Sequence, residues 1–182
     1  MQSSLPARGR SVAVAALAAL LLAAADAGAD DGGYSAVQVA PIAAPALTAS
    51  ISPDGRTALA PAGAPPEVVA AIAAANRITR KPYKWGGGHG RWRDAGYDCS
   101  GSVSYVLHAA GLLRRAHDSG GLMTYGWSGK GGWITVYANP GHAYMKIAGL
   151  RFDTSGRGED GPRWRPEPGS ARGYVQRHPS RL

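Results

Sequence analysis

The chain has 182 residues, with 20 Lys and Arg against 12 Asp and Glu, a net charge of +8, and one cysteine. This length corresponds to one domain or slightly more. A single cysteine excludes an internal disulfide and a cysteine-rich zinc site, and we expect neither a metal nor a cofactor. The positive charge predicts an anionic partner.

The N-terminal segment, residues 1–29, has the pattern of a secretory signal peptide. Arg8 and Arg10 precede an uninterrupted run of Val, Ala and Leu over residues 12–25. As a helix this run is about 21 Å long, shorter than the ~30 Å hydrocarbon core of a bilayer. Ala-x-Ala cleavage sites follow within residues 25–29. We therefore expect an exported bacterial protein, secreted or retained in the cell envelope, without a stable membrane anchor.

Residues 30–65 are rich in Ala and Pro and show no helical or strand period, which is typical of a linker. The folded unit is then residues 66–182, with 17 Lys and Arg against 8 Asp and Glu, or +9. These cations occur singly or in short pairs, and they do not alternate with aromatic residues on which bases could stack. Nucleic acid is therefore not the expected partner. Peptidoglycan or another anionic cell-envelope polymer fits an exported basic domain better, and we expect a monomer.

Two helices and a small sheet are predicted within this unit. Pro66 and Glu67 begin a helix that extends to residue 78 or 79, and Asp98 caps a second helix that ends before Gly111. Strands are predicted over residues 133–137, 142–147 and 150–154, with a two-residue turn between the last two. Beyond Ser155 we expect irregular covering structure with one short strand near residues 174–175. Helices followed by an antiparallel sheet indicate an α+β fold.

Cys99 is the candidate nucleophile. It lies in the first turn behind the Asp98 cap, where free amides and the helix dipole favour an anion and lower a thiol pKa. Helix phase places it at the end of the stripe formed by Val103, Val106 and Ala110, facing the element on which the helix packs. The alternative is a small buried side chain without chemistry, which is common for a free cysteine.

His142 is the best candidate for the base that a thiol nucleophile needs, since it begins a strand after a Pro-Gly turn. His108, His117 and His178 are expected to point away or into solvent, and His89 lies in a glycine-rich loop without rigid support. A two-residue turn pairs Ile147 with Leu150, which puts Asp153 on the face of His142 at diagonal distance, about 7–8 Å between Cβ atoms.

Asp153 is therefore the third candidate residue, orienting the His142 ring. The same strand register places Lys146 opposite Arg151, which is electrostatically unfavourable. The alternative role for Asp153 is to cap the turn before Ser155 and Gly156.

Three motifs resemble the NlpC/P60 cysteine peptidases of bacterial cell walls: Pro82-Tyr83-Lys84-Trp85-Gly86-Gly87, Asp98-Cys99-Ser100-Gly101, and Gly141-His142 at the start of a strand. The resemblance covers residues 68–155. It implies a papain-like α+β core that hydrolyses peptide bonds in peptidoglycan stem peptides, often between D-glutamate and the diamino acid. Cys99 matches the nucleophile, His142 the base, and Asp153 a third polar residue that is commonly His.

The same resemblance implies that Tyr83 stabilises the oxyanion beside the amide of Cys99, and we assign Ser100, His89 and Trp85 to the substrate side. The chain departs from the family in a longer loop over residues 88–97 and in lacking the Gly-Asp-Leu segment before the histidine strand. These departures lie around the substrate groove and bear on specificity more than on the chemistry. Two alternatives also stay open: transglutaminase-like acyl transfer to an amine, and a non-catalytic wall-binding module.

Overall fold

A computed structural model describes residues 48–156, 161–166, 168–180 and 182, all of which belong to one compact unit. The predicted signal peptide and the first part of the predicted linker lie outside the described residues. Within these ranges no helix is both long and apolar enough to cross a membrane.

The described chain begins with a small hairpin formed by β1 (Ser50–Ile51) and β2 (Ala58–Leu59). It lies in the segment predicted as a linker, yet it packs on the rest of the unit. The amide of Ala49 donates to the carbonyl of Ala148 at 2.8 Å, and Ala58 exchanges two 2.9 Å hydrogen bonds with Asn76. Ala49 and Ala58 are buried because small side chains let this strand pair approach the helix closely. The packed structure thus starts before the predicted boundary at Pro66.

Three helices follow in the described chain: α1 (Pro66–Ile78), α2 (Cys99–Ala109) and the short α3 (Ser119–Leu122). The first two confirm the predicted bounds. Pro66 stands in the first turn of α1, where its missing N–H costs no hydrogen bond, and Asp98 caps α2. α1 and α2 pack on each other, and both contribute buried apolar side chains to the core. α3 was not predicted.

The described strands downstream form an antiparallel sheet in the order β3-β8-β4-β5-β6-β7. Their bounds are β3 Trp127–Ser128, β4 Ile134–Asn139, β5 His142–Ile147, β6 Leu150–Asp153, β7 Arg163–Arg165 and β8 Val175–His178. Helices before an antiparallel sheet confirm the α+β prediction. The region beyond Ser155 differs from its prediction, since β7 joins the edge of the sheet in addition to the strand expected near residue 175.

The hairpin of β5 and β6 has the predicted register. Ile147 pairs with Leu150, and Lys146 pairs with Arg151. Ala148 and Gly149 have φ values of 45° and 82°, the left-handed pair that a two-residue turn requires. Alternate residues of β5 therefore face opposite sides: Ala143, Met145 and Ile147 join the core with the helices, whereas His142, Tyr144 and Lys146 lie on the other face.

Candidate active site

The N-terminus of α2 presents Cys99. The Asp98 side chain accepts from the Gly101 amide at 2.7 Å, and its carbonyl accepts from the Ser102 amide at 2.9 Å. Among the described residues, the amides of Cys99 and Ser100 have no hydrogen-bond acceptor. The thiol thus stands beside two free N–H groups at the positive end of a helix, a position that favours an anion.

Cys99 and His142 lie close enough for each side chain to shift the pKa of the other, so α2 and β5 bring the two candidate residues together. Burial by itself raises the pKa of the Cys99 thiol. The hydrogen bonds from His142 and from the Ala143 amide, together with the charge of His142, outweigh burial and leave the pKa lowered. The arrangement favours a thiolate, which is the reactive form of cysteine.

His142 is in turn held by Asp153, whose carboxylate Oδ1 lies 2.9 Å from Nε2 of the ring. Because this contact occupies Nε2, Nδ1 is the nitrogen left to face the thiol. Burial by itself lowers the pKa of His142, but the hydrogen bonds to Asp153 and Cys99 outweigh it and raise the pKa to about 9. These contacts lower the pKa of the thiol and raise the pKa of the imidazole, and so they stabilise a thiolate–imidazolium pair.

Asp153 is fully buried and surrounded by donors. Ser155 donates from its amide to Oδ1 at 2.9 Å and from its hydroxyl to Oδ2 at 2.7 Å. The guanidinium of Arg151 contacts Oδ2 through NH2, and the same nitrogen lies 2.9 Å from the Ser155 hydroxyl. Burial raises the pKa of Asp153, but hydrogen bonds from His142 and Ser155 outweigh it and hold the pKa far below its usual range.

The support from Arg151 was not predicted from the sequence, where this residue figured only as the repulsive partner of Lys146. Each of the two cations lies over an aromatic ring. The guanidinium of Arg151 lies 4.9 Å from the ring centre of Tyr144, and Nζ of Lys146 lies 5.4 Å from that of Tyr137. Each cation therefore rests over an aromatic face, an arrangement that offsets part of the cross-strand repulsion.

Two further residues fix His142 and were missed as site residues. Asn139 accepts hydrogen bonds at its Oδ1 from the amides of Gly141 and His142, at 2.9 and 2.8 Å. This local turn sets the point at which β5 begins. In the sequence, only the Asn-Pro-Gly turn motif pointed to this role of Asn139. The ring of Tyr174 meets that of His142 edge-on, with 6.3 Å between centres, a contact between distant segments with no sequence signal.

The glycine-rich loop before α2 places Tyr83 near the nucleophile. The pKa of Tyr83 is raised by burial and further by the charges of Cys99 and Asp98, so its hydroxyl lies within electrostatic reach of the thiol. Its side chain remains accessible, with 37% of the residue exposed. Trp85, two residues on, is 87% exposed and projects into solvent.

His89 and Ser100 form a network with the α2 cap. Nε2 of His89 lies 3.0 Å from Oδ1 of Asp98 and 3.2 Å from the Ser100 hydroxyl. His89 thus has the firm support that the sequence did not predict. Ser100 is buried, at 4% exposure, and its hydroxyl takes part in this network. Among the described residues, no three His, Cys, Asp or Glu side chains are grouped to hold a metal ion.

No protein-family model and no curated protein matches the sequence. Among solved structures, the chain is similar to an NlpC/P60 family protein from Bacillus cereus ATCC 10987, with 18% identity and a TM-score of 0.47. The match covers 61% of this chain and 39% of that one, so this chain spans about two fifths of that protein's length. Fold and site together define an α+β protein with a thiol, an imidazole and a carboxylate in series.

Proposed function

We propose that this protein is a thiol hydrolase that cleaves amide bonds through Cys99, His142 and Asp153. One observation carries the proposal: Cys99 and His142 lie close enough to shift each other's pKa, and Nε2 of the His142 ring lies 2.9 Å from the buried Asp153 carboxylate. Nucleophile, base and orienting group in series are what acyl transfer requires. A buried cysteine without chemistry would need neither an imidazole partner nor a capped helix start aimed at it.

In the first half-reaction the Cys99 thiolate attacks the amide carbonyl carbon and forms a C–S bond. The His142 imidazolium donates its Nδ1 proton to the amide nitrogen, the C–N bond breaks, and a free amine leaves. Asp153 stays ionised throughout, since its pKa is strongly depressed, and it holds the ring with Nδ1 towards the sulfur.

In the second half-reaction water hydrolyses the thioester. Neutral His142 accepts a proton from the water as the oxygen attacks the acyl carbon, and the thiolate leaves, which restores the ion pair and releases a carboxylic acid. The carbonyl oxygen is negatively charged in both tetrahedral intermediates. The free Cys99 amide is one donor for it, and the Tyr83 hydroxyl is the second.

The proposed substrate is the stem peptide of peptidoglycan. Support comes from the Pro-Tyr-x-Trp-Gly-Gly, Asp-Cys-Ser-Gly and Gly-His motifs, which resemble those of wall peptidases, and from the excess of cations that suits an anionic envelope. The leader pattern of residues 1–29 is consistent with an enzyme that works outside the cell. By the same resemblance, the first bond to test is the one between D-glutamate and the diamino acid, which is often the bond cleaved in that family.

Digestion of purified peptidoglycan tests the proposal. Wild type, Cys99→Ala and His142→Ala are incubated with sacculi under reducing conditions, with the exposed-site variant Arg114→Gln as a control, and fragments are identified by mass. Wild type and the control should release peptides with a new amine and a new carboxylate, and neither active-site variant should. Wild type that releases no fragments contradicts the proposal. Fragments that gain an added amine at the new acyl end would instead establish acyl transfer.

A further inference from the structure

Two clefts adjoin at Lys81, on a part of the surface that the proposed chemistry does not use. Cleft A has a volume of about 530 Å³ and is lined by Arg56, Arg80 and Lys81 among others. Cleft B has a volume of about 760 Å³ and is lined by Arg77, Lys81 and Arg93 among others. Because Lys81 lines both, the two clefts adjoin, and each is lined by several cations.

The acidic side chains in these clefts are already engaged. In cleft A, Asp54 accepts from the Arg56 amide at 3.0 Å and lies 3.9 Å from the Arg80 guanidinium. In cleft B, Asp94 accepts from Nζ of Lys84 at 2.8 Å and from the Gly88 amide at 3.2 Å. Four lining cations form no ion pair with any residue that the structure describes: Arg56, Arg77, Lys81 and Arg93.

The helix dipole does not explain this concentration of charge. Cations near the C-terminus of α1 stabilise that helix end, which accounts for Arg77 and Arg80. Arg56 comes from the turn of the N-terminal hairpin and Arg93 from the loop before α2, and neither lies at a helix C-terminus. Three separate segments thus converge on the same surface with the same sign of charge.

Cleft B is also built with rigid parts. Nε of Arg77 donates to the hydroxyl of Tyr105 at 3.1 Å, and Tyr105 is only 8% exposed. The guanidinium is therefore oriented in advance, with its terminal nitrogens left for a ligand. Trp92 stacks on His108 with 3.8 Å between ring centres and 5° between planes, which fixes one wall of the cleft. A cation held in place loses less conformational entropy when an anion binds.

We infer that clefts A and B together bind a linear polyanion that carries phosphate or carboxylate groups at regular intervals. Arginine forks bind either oxyanion through paired hydrogen bonds. A single small anion would occupy one cleft and leave the cations of the other unused. A chain with repeated charges crosses Lys81 and engages both clefts.

One end of the surface is connected to the proposed active site through the chain. Lys81 is two residues from Tyr83, which spans at most about 7 Å of chain, and Tyr83 lies within electrostatic reach of Cys99. A polymer in the clefts would hold the protein on the wall with its thiol close to the attached peptides. This link to cleavage rests on the proposed function, whereas the binding itself does not.

Binding of long-chain polyphosphate and of poly-L-glutamate to the whole chain tests the inference, with inorganic phosphate as the monomeric comparison. Wild type is compared with two triple variants. The cleft variant is Arg77→Gln/Lys81→Gln/Arg93→Gln. The control variant, Arg114→Gln/Arg115→Gln/Lys130→Gln, removes the same charge from exposed positions outside both clefts. Kd is measured by calorimetry over a series of salt concentrations.

The cleft variant should raise the Kd for at least one polymer about tenfold or more and flatten its salt dependence, while the control variant changes it about threefold or less. The polymer that binds more tightly identifies the oxyanion. Three results would each overturn the inference. Both variants could raise the Kd for the polymer equally, or wild type could bind neither polymer. Inorganic phosphate could also bind with a Kd as low as that of the polymer expressed per anionic group. Wild type that binds a polymer but cleaves no peptidoglycan would refute the proposed function alone.

Discussion

At the scale of single residues, the proposed chemistry depends on opposite pKa shifts at two neighbouring groups. The pKa of Cys99 is lowered and that of His142 is raised to about 9, in each case against the effect of burial. Between the two values the thiol is ionised and the ring is protonated, so both groups are ready for the first step. The reactive window therefore opens below the usual pKa of a cysteine thiol and closes near pH 9, where His142 loses its proton.

The pH dependence of Cys99 alkylation measures this window. Wild type should react with iodoacetamide at lower pH than His142→Gln, because the imidazolium stabilises the thiolate. In His142→Gln the hydrogen bond and the charge are lost while burial remains, so the midpoint should move up to about 8.5 or higher. Peptidase activity should fall again above about pH 9, where His142 loses the proton that the leaving amine requires. An alkylation profile that is the same in both proteins would contradict the ion pair.

Arg151 is expected to act as a positioning residue through Asp153. Arg151→Met removes one of the two cationic partners of the buried Asp153 carboxylate, which should cost about 3 kcal/mol of folding stability in urea unfolding. With a soluble stem peptide, kcat should fall while KM changes little, since Arg151 holds the triad and not the substrate. A single guanidinium nitrogen contacts both Asp153 and Ser155, so the ammonium of Arg151→Lys should restore much of kcat. Equal loss of kcat in both variants would argue against the positioning role.

At the scale of elements, the start of α2 is fixed by close contact with the glycine-rich loop. A Cβ atom on Gly101 would lie 1.9 Å from the carbonyl oxygen of Gly87, a distance that forces the backbone to move. The same helix turn carries Cys99, and the same loop carries Tyr83. The two glycines thus set the distance between the nucleophile and the proposed oxyanion donor.

Substitution of Gly101 by Ala should therefore impair both folding and the site. Overpacking against backbone should lower the free energy of unfolding by about 2 kcal/mol or more. The displaced loop should also reduce kcat. Gly90→Ala is the matched control, because a Cβ there meets nothing within 4 Å, and it should change stability by less than about 0.5 kcal/mol. Urea unfolding of the two variants provides the measurement, and equal stabilities would show that the contact is not a constraint.

The elements that sequence could predict are those governed by local rules. The cap at Asp98 gave the start of α2, and the two-residue turn gave the pairing of Ile147 with Leu150, hence the side of the sheet on which Asp153 lies. The contact of Arg151 with Asp153 could not be predicted. Strand register determines which residues lie opposite each other, but it does not determine the conformation of a long side chain. Two further features depend on contacts between segments that are distant in the sequence: the packing of Tyr174 on His142 and the position of β7 in the sheet. The residue pattern within one segment does not predict such contacts.

At the scale of the whole molecule, long-range contacts that local pattern does not predict also explain why the packed unit starts before Pro66. Composition placed residues 48–65 in a linker, since Ala, Pro and Gly are typical of flexible chain. In the structure Asn76 of α1 connects this segment to the far edge of the sheet. Its Oδ1 accepts from the Ala58 amide at 2.9 Å and from the Trp164 indole at 2.8 Å. One polar side chain of α1 thus satisfies groups from two other parts of the chain.

A chain that begins at residue 66 should therefore be less stable than one that begins at residue 48. It loses the hydrogen bonds between Ala58 and Asn76 and between Ala49 and Ala148, and it uncovers apolar surface on α1. At about 1 kcal/mol for each of these hydrogen bonds, the free energy of unfolding should fall by about 3 kcal/mol before burial is counted. Urea unfolding of the two chains measures the difference. Asn76→Ala should destabilise the longer chain much more than the shorter one, because only the longer chain contains Ala58. Equal stability of the two chains would instead mean that residues 48–65 are a linker after all.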